Sequence, residues 1–177
     1  AKTLFPYTTL FRSIKRMLVH ESVADAFTEQ VVAKTKAWSY GDPADTKVDM
    51  GTVIDEPAAR LFESRVNEAV AQGARLLVGN ERRAALYSPT VIDRVDPAMT
   101  VAREETFGPV SPIIKFRNID EAIRISNGTA YGLVAGVWTR DYKRAWRVAR
   151  AVQAGNVWIN TYKQFSISTP FGGWRDS

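Results

Sequence analysis

One segment of the sequence combines two carboxylates with an aromatic ring, in the order Glu-Glu-Thr-Phe-Gly-Pro-Val over residues 104–110. A carboxylate at the end of a strand can accept hydrogen bonds from both hydroxyls of a ribose, and a nearby ring can stack on a flat heterocycle. One carboxylate of the pair Glu104 and Glu105, together with the ring of Phe107, is therefore a candidate for nucleotide binding. The alternative is an exposed acid pair beside a core phenylalanine. The residue types alone favour that alternative, because glutamate is usually exposed.

A second segment has the order Gly-Asn-Val-Trp-Ile-Asn over residues 155–160, and Pro-Phe-Gly-Gly-Trp-Arg-Asp-Ser follows over residues 170–177. Gly172 and Gly173 allow a close backbone approach or a positive φ angle. Phe165 and Phe171 are apolar residues in a predicted loop, where they could line a tunnel. The alternative is that both rings fill gaps in the core, and the segment taken alone favours it.

The composition excludes several kinds of chemistry. The 177 residues contain no cysteine and a single histidine, His20. Disulfides, thiol nucleophiles and cysteine- or histidine-rich metal sites are therefore excluded, and we expect no metal. His20 is interpreted as structural or exposed. No apolar run has the length of a membrane span, and the net charge of +5 is modest and dispersed.

One predicted helix carries a cluster of basic residues, Lys143, Arg144, Arg147 and Arg150. Such a cluster could form a basic patch for nucleic acid. Its spacing suits a solvated helix face, with Trp146 on the core side, and we adopt that interpretation. We expect neither nucleic acid nor a membrane as a partner.

Short apolar runs alternate with amphipathic stretches along the chain, a pattern that favours strand–helix–strand units. The sequence therefore predicts an α/β fold with a mostly parallel sheet and flanking helices. Strands are predicted at residues 17–19, 76–78, 87–92, 110–116 (interrupted by Pro112), 134–138 and 157–159.

Four helices are predicted between these strands from capping residues and helical spacing. In the first, Val23 and Phe27 are placed on the buried stripe. In the second, Leu61, Phe62 and Val70 share the buried stripe, and Gly73 ends the helix. The predicted N-caps, in chain order, are Ser22, Asp55, Asn118 and Asp141.

Together the two segments resemble motifs of the aldehyde dehydrogenase superfamily. Its members carry Glu-Glu-x-Phe-Gly-Pro-Val, then a Gly-x-Val-x-Ile/Val-Asn strand, then Pro-Phe-Gly-Gly-x-Lys-x-Ser-Gly, in the order and at the separations found here. Tyr131-Gly132-Leu133 and the run from Ile14 to His20 also match. One departure is Arg175, where the family more often has lysine. The resemblance covers residues 14–177 and implies the later, carboxy-terminal part of an aldehyde dehydrogenase catalytic domain.

The resemblance implies a role for each matching residue. Glu105 would bind the nicotinamide ribose of NAD or NADP, and Phe107 would pack on the nicotinamide side. Phe165 and Phe171 would lie along the tunnel for a small aldehyde. In the family a cysteine thiolate attacks the aldehyde, and a thioester is then hydrolysed to the carboxylate. That cysteine aligns with Phe11, which has no nucleophile, so this chain alone is expected to be inactive.

Residues 1–13 fit none of the predicted elements and resemble the translation of a sequencing-adapter oligonucleotide. We interpret them as a non-native segment joined to a partial catalytic domain, residues 14–177. Residues 49–55 and 86–91 resemble the phosphonoacetaldehyde dehydrogenase branch, whereas the sequence from Trp138 onward resembles general or betaine-aldehyde types.

The parent protein is expected to be a cytoplasmic homo-oligomer whose cofactor site is only partly present in this chain. Two alternatives stay open at this point. One is a non-catalytic interaction or oligomerisation remnant of the same fold, and the other is a basic nucleic-acid-binding domain.

Overall fold

The computed structural model describes residues 14–177. Phe11 and the other residues of the segment 1–13 lie outside the described residues. The chain divides after Lys115 into two compact units. Each unit is described by itself below.

Unit 1 contains three helices and six strands among its described residues. The order is β1 (Met17–His20), α1 (Glu21–Lys36), α2 (Glu56–Ala71), β2 (Arg75–Val78), β3 (Arg82–Arg83), β4 (Leu86–Tyr87), β5 (Thr90–Asp93), α3 (Thr100–Arg103) and β6 (Val110–Phe116).

A four-stranded sheet in the order β1-β6-β5-β2 forms the centre of unit 1. Strand β5 pairs with β6 in parallel, with Thr90 opposite Val110, and with the edge strand β2 antiparallel. All four residues of β5 are buried, because the strand has a neighbour on each side. Helix α1 packs across β1, β5 and β2, whereas α2 contacts α3, β2 and the β3–β4 hairpin. The α/β prediction is confirmed.

The start of α1 differs from the prediction of Ser22 as the N-cap. The helix begins at Glu21, and His20 is the cap, with its ring nitrogen Nδ1 accepting a hydrogen bond from the Ser22 N–H at 3.2 Å. Strand β1 thus passes directly into α1 without a loop. The connection places Ser22 inside the first turn, where its hydroxyl lies 2.7 Å from the same ring nitrogen.

The buried face of α1 also differs from the predicted stripe. Val23 is 55% exposed and Phe27 is 37% exposed, whereas Ala24 and Thr28, one position later, are buried. Because no loop separates β1 from α1, the strand sets the rotation of the helix. Small side chains then face the sheet, and Ala24 joins a core cluster with Val19 and Ile113.

Helix α2 begins at the predicted cap, since the Asp55 carboxylate accepts a hydrogen bond from the Ala58 N–H at 2.7 Å. It ends before Gly73, whose φ of +106° suits glycine. Phe62 is only 2% exposed, as predicted, and its ring meets Tyr87 edge-on at a centroid distance of 5.7 Å. The predictions for Leu61 and Val70 were wrong, because these residues on the edge of the stripe are 45% and 40% exposed.

Two strand predictions need correction. The strand predicted over residues 87–92 is divided by Ser88 and Pro89 into β4 and β5, which belong to different sheets. Strand β6 is continuous through Pro112, which is fully buried and pairs with Ile92. Proline lacks only the N–H donor, so the strand loses one ladder hydrogen bond and keeps its extended backbone.

Unit 2 contains α4 (Ile119–Asn127), β7 (Val134–Val137), α5 (Tyr142–Ala151) and β8 (Asn156–Ile159). Strands β7 and β8 pair in parallel, and α5 packs against both strands and α4. The predicted caps are confirmed: Asn118 accepts from the Glu121 N–H, and Asp141 accepts from the Arg144 N–H.

Trp146 on α5 is 44% exposed, so its assignment to the core side was wrong. Ala145 is the residue of this helix that is buried. No helix among residues 14–177 has the length and apolar character needed to cross a bilayer. The same residues contain no group of three or more histidine, aspartate or glutamate side chains placed to hold a metal.

Replacing the buried ring of α2 tests this packing. Phe62→Ala should lower the free energy of unfolding of the chain by about 3–5 kcal/mol, because a buried aromatic side chain leaves a cavity. Leu61→Ala, one position earlier and half exposed, should cost about 1 kcal/mol or less. Urea unfolding followed by circular dichroism measures both variants, and equal losses would contradict the burial described here.

Candidate functional site

The acidic loop, residues 104–108, joins α3 to β6 and carries Glu105 and Phe107, the residues that the resemblance assigns to cofactor binding. The side chain of Glu105 is exposed, and Phe107 is 77% exposed with a φ of +50°. Phe107 therefore lies on the surface of the part of the chain that the structure describes, and not in its core. The loop presents a carboxylate and an aromatic ring, two positions apart, on the surface of unit 1.

The end of the acidic loop lies directly on the buried ring of α2. A Cβ atom added at Gly108 would lie 2.6 Å from Cδ2 and Cζ of Phe62, closer than real contacts allow. Glycine at this position is thus required by packing. On the far side, the Thr90 N–H donates to the Pro109 carbonyl at 2.8 Å, which fixes the start of β6 against β5.

Two cations from other parts of unit 1 hold the backbone of this region. Lys15 Nζ donates to the Arg103 carbonyl oxygen at 2.6 Å. The Arg65 guanidinium on α2 donates through Nη1 to the Glu105 carbonyl oxygen at 2.6 Å and to the Thr106 hydroxyl at 3.3 Å. The sequence did not identify either role, because the partners are 88 and 40 residues apart and share no motif.

The environment of Lys15 favours its neutral form. Burial, and next the nearby Arg16 charge, lower the pKa of Lys15 from 10.5 to about 8. Glu105 and Glu104 oppose this shift, and Arg65 adds to it.

Phe165 and Phe171 lie together in unit 2, in the aromatic loop (residues 161–173) that follows β8. Their rings meet edge-on at 5.3 Å, and Phe165 meets the buried Trp158 in the same way at 5.3 Å. Both side chains are more than half exposed, at 62% and 54%. They do not fill the core of unit 2. Instead they line a cavity of about 200 Å³ with Asn156, Gln164, Ser166, Ile167 and Thr169.

The aromatic loop is held by its backbone. Trp158 Nε1 donates to the Gln164 carbonyl at 2.9 Å. A Cβ atom at Gly155 would overlap the Gly172 carbonyl oxygen, so the close approach predicted for this segment is made by Gly155, whereas the Cβ position of Gly172 is open. Gly173 also allows a close approach, because a Cβ atom there would overlap the carbonyl oxygen of Ser177.

Arg175, the departure from the family lysine, has a defined role in unit 2. It donates to the carbonyl oxygens of Asn127 and Thr129 and to the Gln153 side chain. A guanidinium suits this position because its fork of donors reaches several acceptors at once.

The basic cluster of α5 is partly engaged within unit 2. Arg147 forms an ion pair with Asp120 at 2.5 Å, and Arg150 lies over the ring of Trp146 at 5.5 Å. The Lys143 and Arg144 side chains are exposed. This arrangement agrees with a solvated helix face.

Comparison with known proteins extends the sequence resemblance to nearly the whole chain. A family model described as "Aldehyde dehydrogenase family" matches residues 12–177. The human protein "Aldehyde dehydrogenase, mitochondrial" is 39% identical over 165 residues, which are 92% of this chain and 32% of that protein. The chain thus spans about a third of the length of the curated relatives it matches.

Solved structures agree with the sequence matches. A betaine aldehyde dehydrogenase from Staphylococcus aureus, in complex with NAD+, matches with a TM-score of 0.84 at 33% identity, covering 91% of this chain and 33% of that one. The glyceraldehyde-3-phosphate dehydrogenase GapN from Methanocaldococcus jannaschii, complexed with NADP, matches with a TM-score of 0.86 at 37% identity, covering 93% and 36%.

The Lys15 environment predicts how the stability of the chain depends on pH. Between pH 8 and 10.5 the unfolded chain holds a proton at Lys15 that the folded chain has released, so the free energy of unfolding should rise with pH. Lys15→Met should remove this rise, and Lys143→Met, at an exposed position, should keep it. Urea titrations from pH 7.5 to 10 measure the effect. Higher pH is avoided because burial raises the pKa of Tyr87 to about 12, which lowers stability above pH 10. If the free energy of unfolding still rises with pH in Lys15→Met, a group other than Lys15 causes the rise.

Proposed function

Because this chain belongs to the aldehyde dehydrogenase family, we propose that its parent protein oxidises a small aldehyde to a carboxylate with NAD or NADP. In this proposal the chain supplies the nicotinamide edge of the cofactor site and part of the aldehyde tunnel. The observation that carries it is the acidic loop, which presents Glu105 and Phe107 together on a fixed backbone.

The residues of the acidic loop suit the nicotinamide half of the cofactor. The exposed Glu105 carboxylate is an acceptor for two ribose hydroxyls, and the exposed ring of Phe107 offers a flat apolar face beside it. When bound, the cofactor supplies a hydride acceptor. The protein's contribution here is orientation, since both side chains stand on a backbone held by hydrogen bonds.

Phe165 and Phe171 form part of the aldehyde tunnel in this proposal. Phe171 packs edge-on against Phe165, which packs edge-on against Trp158, and the rings form an apolar wall beside the cavity of about 200 Å³. An apolar wall binds the carbon chain of an aldehyde and excludes water from the carbonyl carbon. The polar side chains around the same cavity, Asn156 and Gln164 among them, offer hydrogen-bonding groups to a polar substituent.

The chain by itself is proposed to be inactive. The chemistry of the family needs a thiolate to attack the aldehyde, and this sequence has no cysteine. Phe11 stands at the aligned position and has no nucleophilic atom. The phosphonoacetaldehyde branch, the cytoplasmic location, the homo-oligomeric state and the non-native origin of residues 1–13 stay predictions.

A transplanted segment tests the proposal. Residues 14–177 replace the matching third of the human mitochondrial relative, and reduction of NAD and of NADP by propanal is followed at 340 nm. The hybrid enzyme should oxidise the aldehyde, whereas the isolated chain should not. A folded hybrid without activity, or an active isolated chain, would contradict the proposal.

One substitution in the hybrid enzyme tests the proposed contact between Glu105 and the cofactor. Glu105→Gln should raise the KM for the cofactor about 10-fold or more, because hydrogen bonds to a charged acceptor contribute about 1.5–3 kcal/mol. The KM for the aldehyde should change less than about two-fold, since Glu105 faces the cofactor in this proposal. Glu104→Gln, the neighbouring acid, is the matched control and should leave both constants near their starting values.

A further inference from the structure

The conformation of the acidic loop depends on contacts of its backbone. The side chains of Glu105 and Phe107 are exposed, so neither is fixed by burial. Phe107 also has a φ of +50°, a backbone conformation that a residue with a large side chain adopts only when its surroundings impose it. The contacts that impose it therefore decide where the carboxylate and the ring point.

Arg65 makes the contact in the middle of this loop. Its Nη1 atom donates to the Glu105 carbonyl at 2.6 Å and to the Thr106 hydroxyl at 3.3 Å. The first bond fixes the peptide plane between Glu105 and Thr106, and the second fixes the next side chain. A hydrogen bond from a charged donor is shorter and stronger than one between neutral groups.

The part of α2 that carries Arg65 is anchored in the core. Arg65 stands on α2 between two residues that anchor the helix in the core, Phe62 at 2% exposure and Val66 at 0%. Arg65 itself is half-buried, which limits the rotamers open to its side chain. The same helix also supports the end of the loop, where Gly108 rests on Phe62.

We propose that Arg65 is a positioning residue for cofactor binding, because it holds the peptide between the proposed ribose acceptor Glu105 and the proposed nicotinamide contact Phe107. This role rests on the proposed function, and its geometry is given by the hydrogen bonds of Arg65 to Glu105 and Thr106. Lys15 holds the carbonyl of Arg103, the helix residue directly before the loop, so loss of Arg65 releases residues 105–107 and leaves the residue before the loop in place.

The first experiment tests the geometry in the full 177-residue chain. In Arg65→Met, which keeps an apolar stem, the backbone amide order parameters of residues 105–107 from 15N relaxation should fall from about 0.85 to below about 0.6. Arg65→Lys, which keeps a cationic donor, should recover part of the order. Arg60→Met on the same helix, which loses an exposed ion pair with Glu56, is the matched control and should leave the loop unchanged. Unchanged order parameters in a folded Arg65→Met chain would overturn the inference.

The second experiment tests the consequence in the hybrid enzyme. Arg65→Met should raise the KM for NAD about 5- to 10-fold, with kcat and the KM for the aldehyde within about two-fold, and Arg65→Lys should restore much of the affinity. A residue with a merely structural role would lower the melting temperature without this split between the constants.

The outcomes separate the two proposals. If Glu105→Gln raises the KM for NAD and Arg65→Met does not, the positioning role is overturned while the proposed function stands. If Glu105→Gln itself has no effect in an active hybrid, the loop is not the cofactor edge, and both the proposed site and the role of Arg65 are overturned.

Discussion

The contact between the Phe62 ring and Gly108 is the constraint on which the acidic loop and its neighbours in unit 1 depend. It joins the middle of α2 to the end of the acidic loop at a distance that leaves no room for a side chain. The same ring meets Tyr87, whose hydroxyl donates to Asn80 and so fixes the β3–β4 hairpin region. One aromatic side chain thus connects a helix, a hairpin and the proposed cofactor edge. This packing therefore accounts for the glycine in the Phe-Gly-Pro order at residues 107–109.

Features determined by neighbouring residues could be predicted from the sequence. Asp55, Asn118 and Asp141 cap their helices because each side chain reaches an N–H three residues later, a distance set by the helix itself. Gly73 ends α2 for an equally local reason, its positive φ. The start of α1 was missed because histidine is not among the usual caps. Its rotation was missed because strand β1 sets it, and no helical periodicity records that junction.

The residues of the candidate site also fall into those that the sequence could identify and those that only the folded structure shows. Glu105, Phe107, Phe165 and Phe171 could be proposed because motifs of a known family pass through them. The cations that hold the acidic loop could not, because Lys15 and Arg65 act on main-chain oxygens 88 and 40 residues away. Such contacts exist only once the chain has folded, and a search for chemistry-bearing residue types does not single them out. The close approach near Phe171 was assigned to Gly172 and Gly173. Gly173 makes one with the Ser177 carbonyl, whereas at the contact between Gly155 and Gly172 it is Gly155 that has no room for a side chain.

Lys15 and Arg65 donate hydrogen bonds to the main-chain carbonyl oxygens of Arg103 and Glu105, and every amino acid carries such an oxygen. The shape of the acidic loop is therefore separated from the identity of most of its side chains. Mutation can alter what residues 104, 105 and 107 display while the trace of the loop is preserved. A loop held in this way allows natural selection, or an engineer, to change the side chains that it displays without a compensating mutation to restore stability.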